Sequence, residues 1–145
     1  MYTAIQHLHS YWAYLVLLIV VLATFNAIIK SAGKKPFVAH DFRISLFALI
    51  VMHLQLLIGL VLYFVSPYIS AFAEVGMGGV MKDDTLRLYL IEHPTTMILA
   101  IVFITMGYSK HKKKLSSSKK FRTISIFYAI ALILLLTRIP WQAWF

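Results

Sequence analysis

The chain has 145 residues, of which 61% are hydrophobic and 13% charged, and none is cysteine. An average soluble domain is about half apolar and about a quarter charged, so this composition excludes an ordinary water-soluble domain. The lack of thiols excludes disulfides and a covalently attached c-type haem. The formal charge of +9 does not indicate a nucleic-acid partner, because the basic residues flank apolar segments, where membrane insertion explains them.

Four apolar segments follow one another along the chain, and each is long enough to cross a bilayer as a helix. They are predicted at about residues 11–29, 45–65, 88–108 and 124–139. Because four spans take up more than half of so short a chain, residues 1–145 are expected to form a single transmembrane domain. The predicted fold is therefore all-α, an integral membrane four-helix up-and-down bundle.

Most of the basic residues lie in the two connections that follow the first and the third span. These eleven of the fourteen Lys and Arg residues are Lys30, Lys34, Lys35, Arg43, Lys110, Lys112, Lys113, Lys114, Lys119, Lys120 and Arg122. The positive-inside rule places both connections in the cytoplasm, and thus both termini on the periplasmic side of a bacterial inner membrane. An aromatic belt of Tyr11, Trp12, Trp141 and Trp144 is expected at the outer ends of the first and fourth spans.

The outer connection contains Gly76, Met77, Gly78 and Gly79, a run that is typical of a turn or a mobile flap. Asp83 and Asp84 then precede the third apolar segment. Their short acidic side chains are expected to cap the third helix.

Several polar side chains lie in or at the edge of the spans, where they are costly unless they face a partner inside the bundle. They are His7, His9, His53, Gln55, Glu92, His93 and Arg138. Each is therefore a candidate functional residue. His40 and His111 are assigned to cytoplasmic loops and receive no role.

His53 lies near the middle of the second span, and the residues one helical turn away are all apolar. Since nothing local is expected to satisfy its imidazole, a hydrogen bond to another helix and a ligand role are equally open. Gln55, Gly59 and Tyr63 line a different face of the same helix. Gly59 would allow a neighbouring backbone or a flat ligand to approach closely.

His93 precedes Pro94, which removes a backbone donor and is expected to kink or restart the third helix. The kink would direct His93 toward an interior face that it shares with Thr96, Met97 and Ala100. Glu92 is expected to face the outer interface.

Three imidazoles without cysteine favour haem b, which needs only non-covalent axial ligands and an apolar slot between helices. A zinc pathway would require several carboxylates at one depth. His93 is predicted as one iron ligand, with His9 ranked above His53 as the other, since the first and third spans of such a bundle are diagonal. The histidine that does not ligate would bind quinone or a neighbouring helix. Arg138, and after it Arg87, are the candidates for binding the haem propionates.

Four segments of the sequence resemble small four-helix bacterial membrane proteins known as cytochrome B. They are His-Leu-His-Ser at 7–10, His-Leu-Gln-Leu-Leu-Ile-Gly-Leu-Val-Leu-Tyr at 53–63, Glu-His-Pro-Thr-Thr-Met at 92–97 and Arg-Ile-Pro-Trp at 138–141. The resemblance extends over the whole chain. It implies haem b and electron transfer within the membrane.

The layout is also distantly similar to the four-helix haem-dependent protoporphyrinogen oxidases, which open the first span with Leu-His and close the fourth with a basic residue and proline. His9 and Arg138 are the matching positions. The chain departs from that family at His93 and Pro94, where the oxidases typically carry a tryptophan and lysine pattern.

Three functions follow as hypotheses. The first is a b-type cytochrome that transfers electrons between quinol and a protein partner. The second is a porphyrinogen-oxidising haem enzyme, and the third is a haem-free structural subunit of a larger membrane complex. The expected partners are membrane lipid, a quinone, and another membrane protein or a second copy of the chain.

Overall fold

The computed structural model describes residues 1–144. Four long helices account for most of it: α1 (Tyr2–Ala32), α2 (Ala39–Val65), α3 (Asp84–Lys112) and α4 (Ser117–Thr137). All four are long and apolar enough to cross a membrane. The prediction of an all-helical chain with four candidate spans is confirmed, and the chain is thus described as a multi-pass membrane protein. The predicted fourth span extends two residues beyond the end of α4, which stops at Thr137.

The four helices pack in a ring, in which each helix makes its main contacts with two neighbours. Helix α1 packs on α2 and α4, and α3 packs on α4 and α2, so α1 and α3 are diagonal. The buried core contains many small residues, among them Ala23, Ala27, Ala48, Ala100 and Ala131. Small residues allow membrane helices to approach closely enough for dispersion contacts to hold them together.

Helices α3 and α4 approach each other closely at Gly107. A Cβ atom added there would lie 2.6 Å from the Cβ of Phe127, a separation that packed atoms do not reach. The missing side chain of Gly107 therefore sets the distance between the two helices.

The two turns at one end of the bundle are short. Most of the basic residues predicted for these connections therefore lie in the helix ends that flank the turns. Residues 33–38 join α1 to α2, and residues 113–116 join α3 to α4. The Ser117 hydroxyl accepts a hydrogen bond from the Phe37 amide at 2.9 Å, which ties the two turns together. Ser116 caps α4 by accepting from the Lys119 amide.

A buried carboxylate anchors this same end. Asp41 is 1% exposed and accepts from Lys30 Nζ at 2.6 Å, from Asn26 Nδ2 at 2.9 Å and from the Val38 amide at 2.9 Å. The Val38 contact caps the start of α2, and the two side-chain contacts join α2 to α1. One acidic residue thus compensates a basic side chain and fixes the angle between two helices.

The connection between α2 and α3 differs from its prediction. It forms short helical segments at Pro67–Ser70, Ala71–Glu74 and Gly76–Lys82. The glycine run expected to be a turn or flap is therefore helical, and only Gly76, at a φ of +67°, has a conformation that favours glycine. The predicted cap of the third helix is confirmed, since Asp83 Oδ1 accepts from the Leu86 amide at 2.8 Å.

Candidate functional site

His9 on α1 and His93 on α3 face each other across the diagonal of the bundle. Their ring centroids are 6.2 Å apart and their planes are inclined at 77°. The two residues are separated by more than eighty positions in sequence, and only the ring arrangement of the helices brings them together. This pair is the centre of the candidate site.

The orientation of the His93 imidazole is fixed by a backbone carbonyl. His93 Nδ1 lies 2.7 Å from the carbonyl oxygen of Arg138, the residue that follows α4. Because a carbonyl oxygen only accepts, Nδ1 carries the proton, and Nε2 of the neutral ring presents a lone pair. Metal-ligating histidines typically donate their other ring nitrogen in this way, which fixes both tautomer and ring orientation.

His9 is held by α2. Gln55 Nε2 donates to the His9 carbonyl oxygen at 2.9 Å and lies 3.4 Å from His9 Nε2. Gly59 makes room for the ring, since a Cβ there would lie only 3.1 Å from His9 Cε1. Gly59 was expected to admit a backbone or a flat ligand, whereas the structure places an imidazole against it.

Two polar side-chain atoms of His9 and Gln55 are buried without a hydrogen-bond partner among residues 1–144. They are His9 Nδ1 and Gln55 Oε1. Buried polar groups in native proteins are nearly always hydrogen-bonded, and an unpaired one costs about 1–3 kcal/mol. The His9 and Gln55 pair is therefore incomplete as it stands, as expected where a bound group or water completes a site.

The local structure of α3 explains how His93 reaches this position. Residues Leu88–Glu92 form a π-helical turn, in which the His93 amide donates to the Leu88 carbonyl five residues earlier. Pro94 has no N–H to donate to the Leu90 carbonyl, and Tyr63 on α2 replaces that donor with its hydroxyl at 3.2 Å. The disruption expected at Pro94 thus takes the form of a π-helical turn pinned by Tyr63.

The two arginines proposed for propionate binding meet at a single carboxylate. Arg87 Nε lies 3.0 Å from Glu92 Oε1, and Arg138 Nε lies 3.3 Å from Glu92 Oε2. Residues five apart do not face each other on a regular α-helix, but the π-helical turn stacks Arg87 and Glu92. Glu92, expected at the outer interface, is 30% exposed and bridges two guanidinium groups.

His53 lies on a different face of α2 from Gln55. Its Nδ1 is 2.8 Å from the Leu49 carbonyl oxygen of its own helix. The expectation that nothing local satisfies this imidazole was wrong, because the partner is a backbone carbonyl one turn earlier and not a side chain. The structure does not bring His53 to the His9 and His93 pair.

Three further side chains differ from their expected environments. His111 lies in the last turn of α3 rather than in a loop, and it is 1% exposed against Phe37, Phe42 and Tyr108. His40 lies exposed in the first turn of α2. Trp12 contributes to the bundle interior, since its indole N–H donates to the Val51 carbonyl at 3.0 Å.

The spacing of the two imidazoles is compatible with a b-type haem. Within residues 1–144 no group of three or more metal-binding side chains is found. An imidazole nitrogen binds a metal at about 2.0–2.1 Å, so two imidazoles on opposite sides of one metal place their ring centroids roughly 6 Å apart. The centroids of His9 and His93, at 6.2 Å, fit that spacing.

Comparison of the chain with protein-family models, with curated proteins and with solved structures gives no match.

Proposed function

We propose that the chain is a b-type cytochrome of the bacterial inner membrane, which binds haem b between α1 and α3 and transfers electrons between quinol and a protein partner. The observation that carries the proposal is the facing pair His9 and His93, at 6.2 Å between centroids, at one end of a four-helix bundle. Two imidazoles are sufficient to hold a haem iron non-covalently. When bound, the haem would supply one-electron chemistry.

The protein's own residues would set how the group is held. His93 donates its Nδ1 proton to the Arg138 carbonyl and offers Nε2 as a ligand. His9 is the second ligand, supported by Gln55 and placed against Gly59. His53 ranks below both, because it hydrogen-bonds its own helix on another face of α2.

Arg138 and Arg87 remain the proposed propionate partners. They already converge on one carboxylate, Glu92, at distances of 3.3 Å and 3.0 Å, so their guanidinium groups are placed to bind carboxylates together. The side chain of Arg138 is 48% exposed, so it also reaches the outer interface. Propionates would share or displace Glu92 at this position.

The deciding experiment is a spectrum of the full chain, purified from bacterial membranes in mild detergent with haem available during expression. The reduced-minus-oxidised difference spectrum is expected to show the α-band of a low-spin b-type haem. A chain that folds, as judged by circular dichroism, yet carries no haem contradicts the proposal and leaves a haem-free membrane subunit.

The ligands are tested with His93→Ala and His9→Ala, with His7→Ala as the matched control. His7 lies two residues from His9, is exposed and stacks on Tyr11, so its loss is expected to leave the spectrum unchanged. Either ligand variant is expected to convert the haem to high-spin or to lose it, and added imidazole is expected to restore the low-spin spectrum of His93→Ala. A full low-spin spectrum in His93→Ala without imidazole would remove His93 from the site.

A further inference from the structure

The face of α2 that carries His53 presents an unusual combination of one imidazole and an apolar groove. The groove is a shallow, open depression of about 270 Å³ on α2 alone, lined by Leu49, Ile50, His53, Leu54 and Leu57. It opens outward from the bundle, and Ile50, Leu54 and Leu57 are each at least 40% exposed. In a membrane this face contacts lipid or whatever replaces lipid.

His53 lies at the depth where a bilayer offers least to a polar group. The midpoint of α2, Ala39–Val65, falls at residue 52, one position from His53. Phospholipid headgroups stay near the edges of a hydrocarbon layer about 30 Å thick, so they are roughly 15 Å from this depth. Neither lipid chains nor water supply a hydrogen bond to His53 there.

The hydrogen bond that His53 already makes decides what kind of partner it needs. Because Nδ1 lies 2.8 Å from the Leu49 carbonyl oxygen, Nδ1 carries the proton of the neutral ring. Nε2 is left with a lone pair and makes no hydrogen bond within residues 1–144. The groove therefore requires a partner that donates a hydrogen bond, and a carbonyl-bearing ligand does not meet that requirement.

A second copy of the chain does not supply this donor through the same face. Two copies that paired along α2 would oppose two His53 lone pairs, surrounded by Leu49, Ile50, Leu54 and Leu57. None of those side chains carries an O–H or N–H group. Self-association of this face would leave His53 unsatisfied in both copies.

We propose that the groove binds the hydroquinone head of a membrane quinol, with one quinol hydroxyl donating to His53 Nε2 and the ring lying against the leucine and isoleucine side chains. A hydroquinone is apolar enough to enter the hydrocarbon layer, and it carries the O–H donor that His53 lacks. The corresponding quinone has only acceptors, so the groove discriminates in favour of the reduced form. The inference rests on the proposed function in naming the electron donor of that cytochrome.

The test uses the full chain in lipid nanodiscs and a pair of probes, a decyl-substituted benzohydroquinone under anaerobic conditions and its benzoquinone. Calorimetric titration is expected to show the hydroquinone binding about five- to tenfold more tightly, the value of one additional neutral hydrogen bond. In His53→Leu the preference is expected to vanish. In His53→Gln, whose amide carries a donor, quinone binding is expected to improve relative to the parent chain.

His40→Leu is the matched control, since His40 lies exposed at the start of the same helix, far from the groove. Equal affinity of the parent chain for both probes, or an unchanged preference in His53→Leu, would overturn the inference even where the haem spectrum is intact. Loss of haem in His53→Leu would overturn it too, by making His53 an iron ligand. If the parent chain binds no quinol and forms a dimer that His53→Leu converts to a monomer, the face binds a second copy of the chain and the inference is wrong.

A chain without haem could still bind hydroquinone in preference to quinone through His53. That result would support quinol binding in the groove and contradict the proposed cytochrome. The two proposals are therefore separable, because one is read from the binding preference and the other from the α-band.

Discussion

The Tyr63 hydroxyl replaces a backbone hydrogen bond that Pro94 cannot make. Pro94 lacks the N–H that would bond the Leu90 carbonyl, and the Tyr63 hydroxyl donates to that oxygen at 3.2 Å. Tyr63→Phe would leave the carbonyl unpaired and is expected to lower the free energy of unfolding by about 1–3 kcal/mol. Thermal unfolding in detergent, followed by circular dichroism, measures the loss.

The matched control for Tyr63 is Tyr14→Phe, because Tyr14 is 48% exposed and stacks on Trp144 through its ring. Its ring contact survives the change, so little effect is expected. Equal midpoints for the two variants would show that the Tyr63 hydrogen bond does not stabilise α3.

At the residue scale, the polar side chains of the site could be predicted from the sequence better than their hydrogen-bond partners. His9 and His93 could be paired from the up-and-down order of the spans, but that pairing remains a prediction for haem ligation. The partners of His93 and His53 are the carbonyl oxygens of Arg138 and Leu49. Every residue has such an oxygen, so side-chain identity gives no signal for these bonds.

At the scale of the helix pair, the close packing of α3 on α4 depends on Gly107. Gly107→Ala places a Cβ at 2.6 Å from the Phe127 Cβ, so the helices must separate. Overpacking of this kind costs about 1–3 kcal/mol, against a gain of about 1 kcal/mol in helix propensity. The thermal midpoint of Gly107→Ala is therefore expected to fall.

Gly78→Ala is the control for this substitution, since a Cβ at Gly78 meets nothing within 4 Å. Only the propensity gain applies there, and the midpoint is expected to rise or stay level. A Gly107→Ala chain as stable as its Gly78→Ala counterpart would mean that α3 and α4 adjust without loss.

The presence of the long helices could be predicted from the sequence because hydropathy is a local property. The ends of several helices could not be predicted in this way. The short helix Gly76–Lys82 contains three glycines, and its sequence indicates a turn. Contacts of Val80, which is fully buried, stabilise the helix despite that composition. Tertiary packing here outweighs the local preference.

The whole molecule has two unlike ends. One end carries the basic turns, the Asp41 cluster and buried His111. The other carries His9, His93, the Glu92 pairs, the N-terminus and Trp144. The positive-inside rule predicts that the basic end is cytoplasmic. A reporter that is active only in the cytoplasm is expected to function when fused after Gly33 or Leu115 and to be silent at the C-terminus.

A reporter that requires export should give the opposite pattern at the same three positions. Cytoplasmic activity at the C-terminus would reverse the orientation and would place the His9 and His93 pair on the cytoplasmic side.

The π-helical turn at Leu88–Glu92 also sets an angular phase for the rest of α3. Each residue of a regular α-helix advances the side-chain direction by about 100°, and a π-helical turn accommodates one residue more than an α-helical turn. Because the wider turn has already absorbed that extra residue, removing one residue from this segment would regularise the helix and leave His93 in nearly its present direction relative to the capped start at Asp83. Regularising the helix at its full length would instead turn the imidazole by about 100°, away from both His9 and the Arg138 carbonyl, although every helix would still be long enough to span the membrane. The wide turn thus lets α3 carry one extra residue without a rotation of the site.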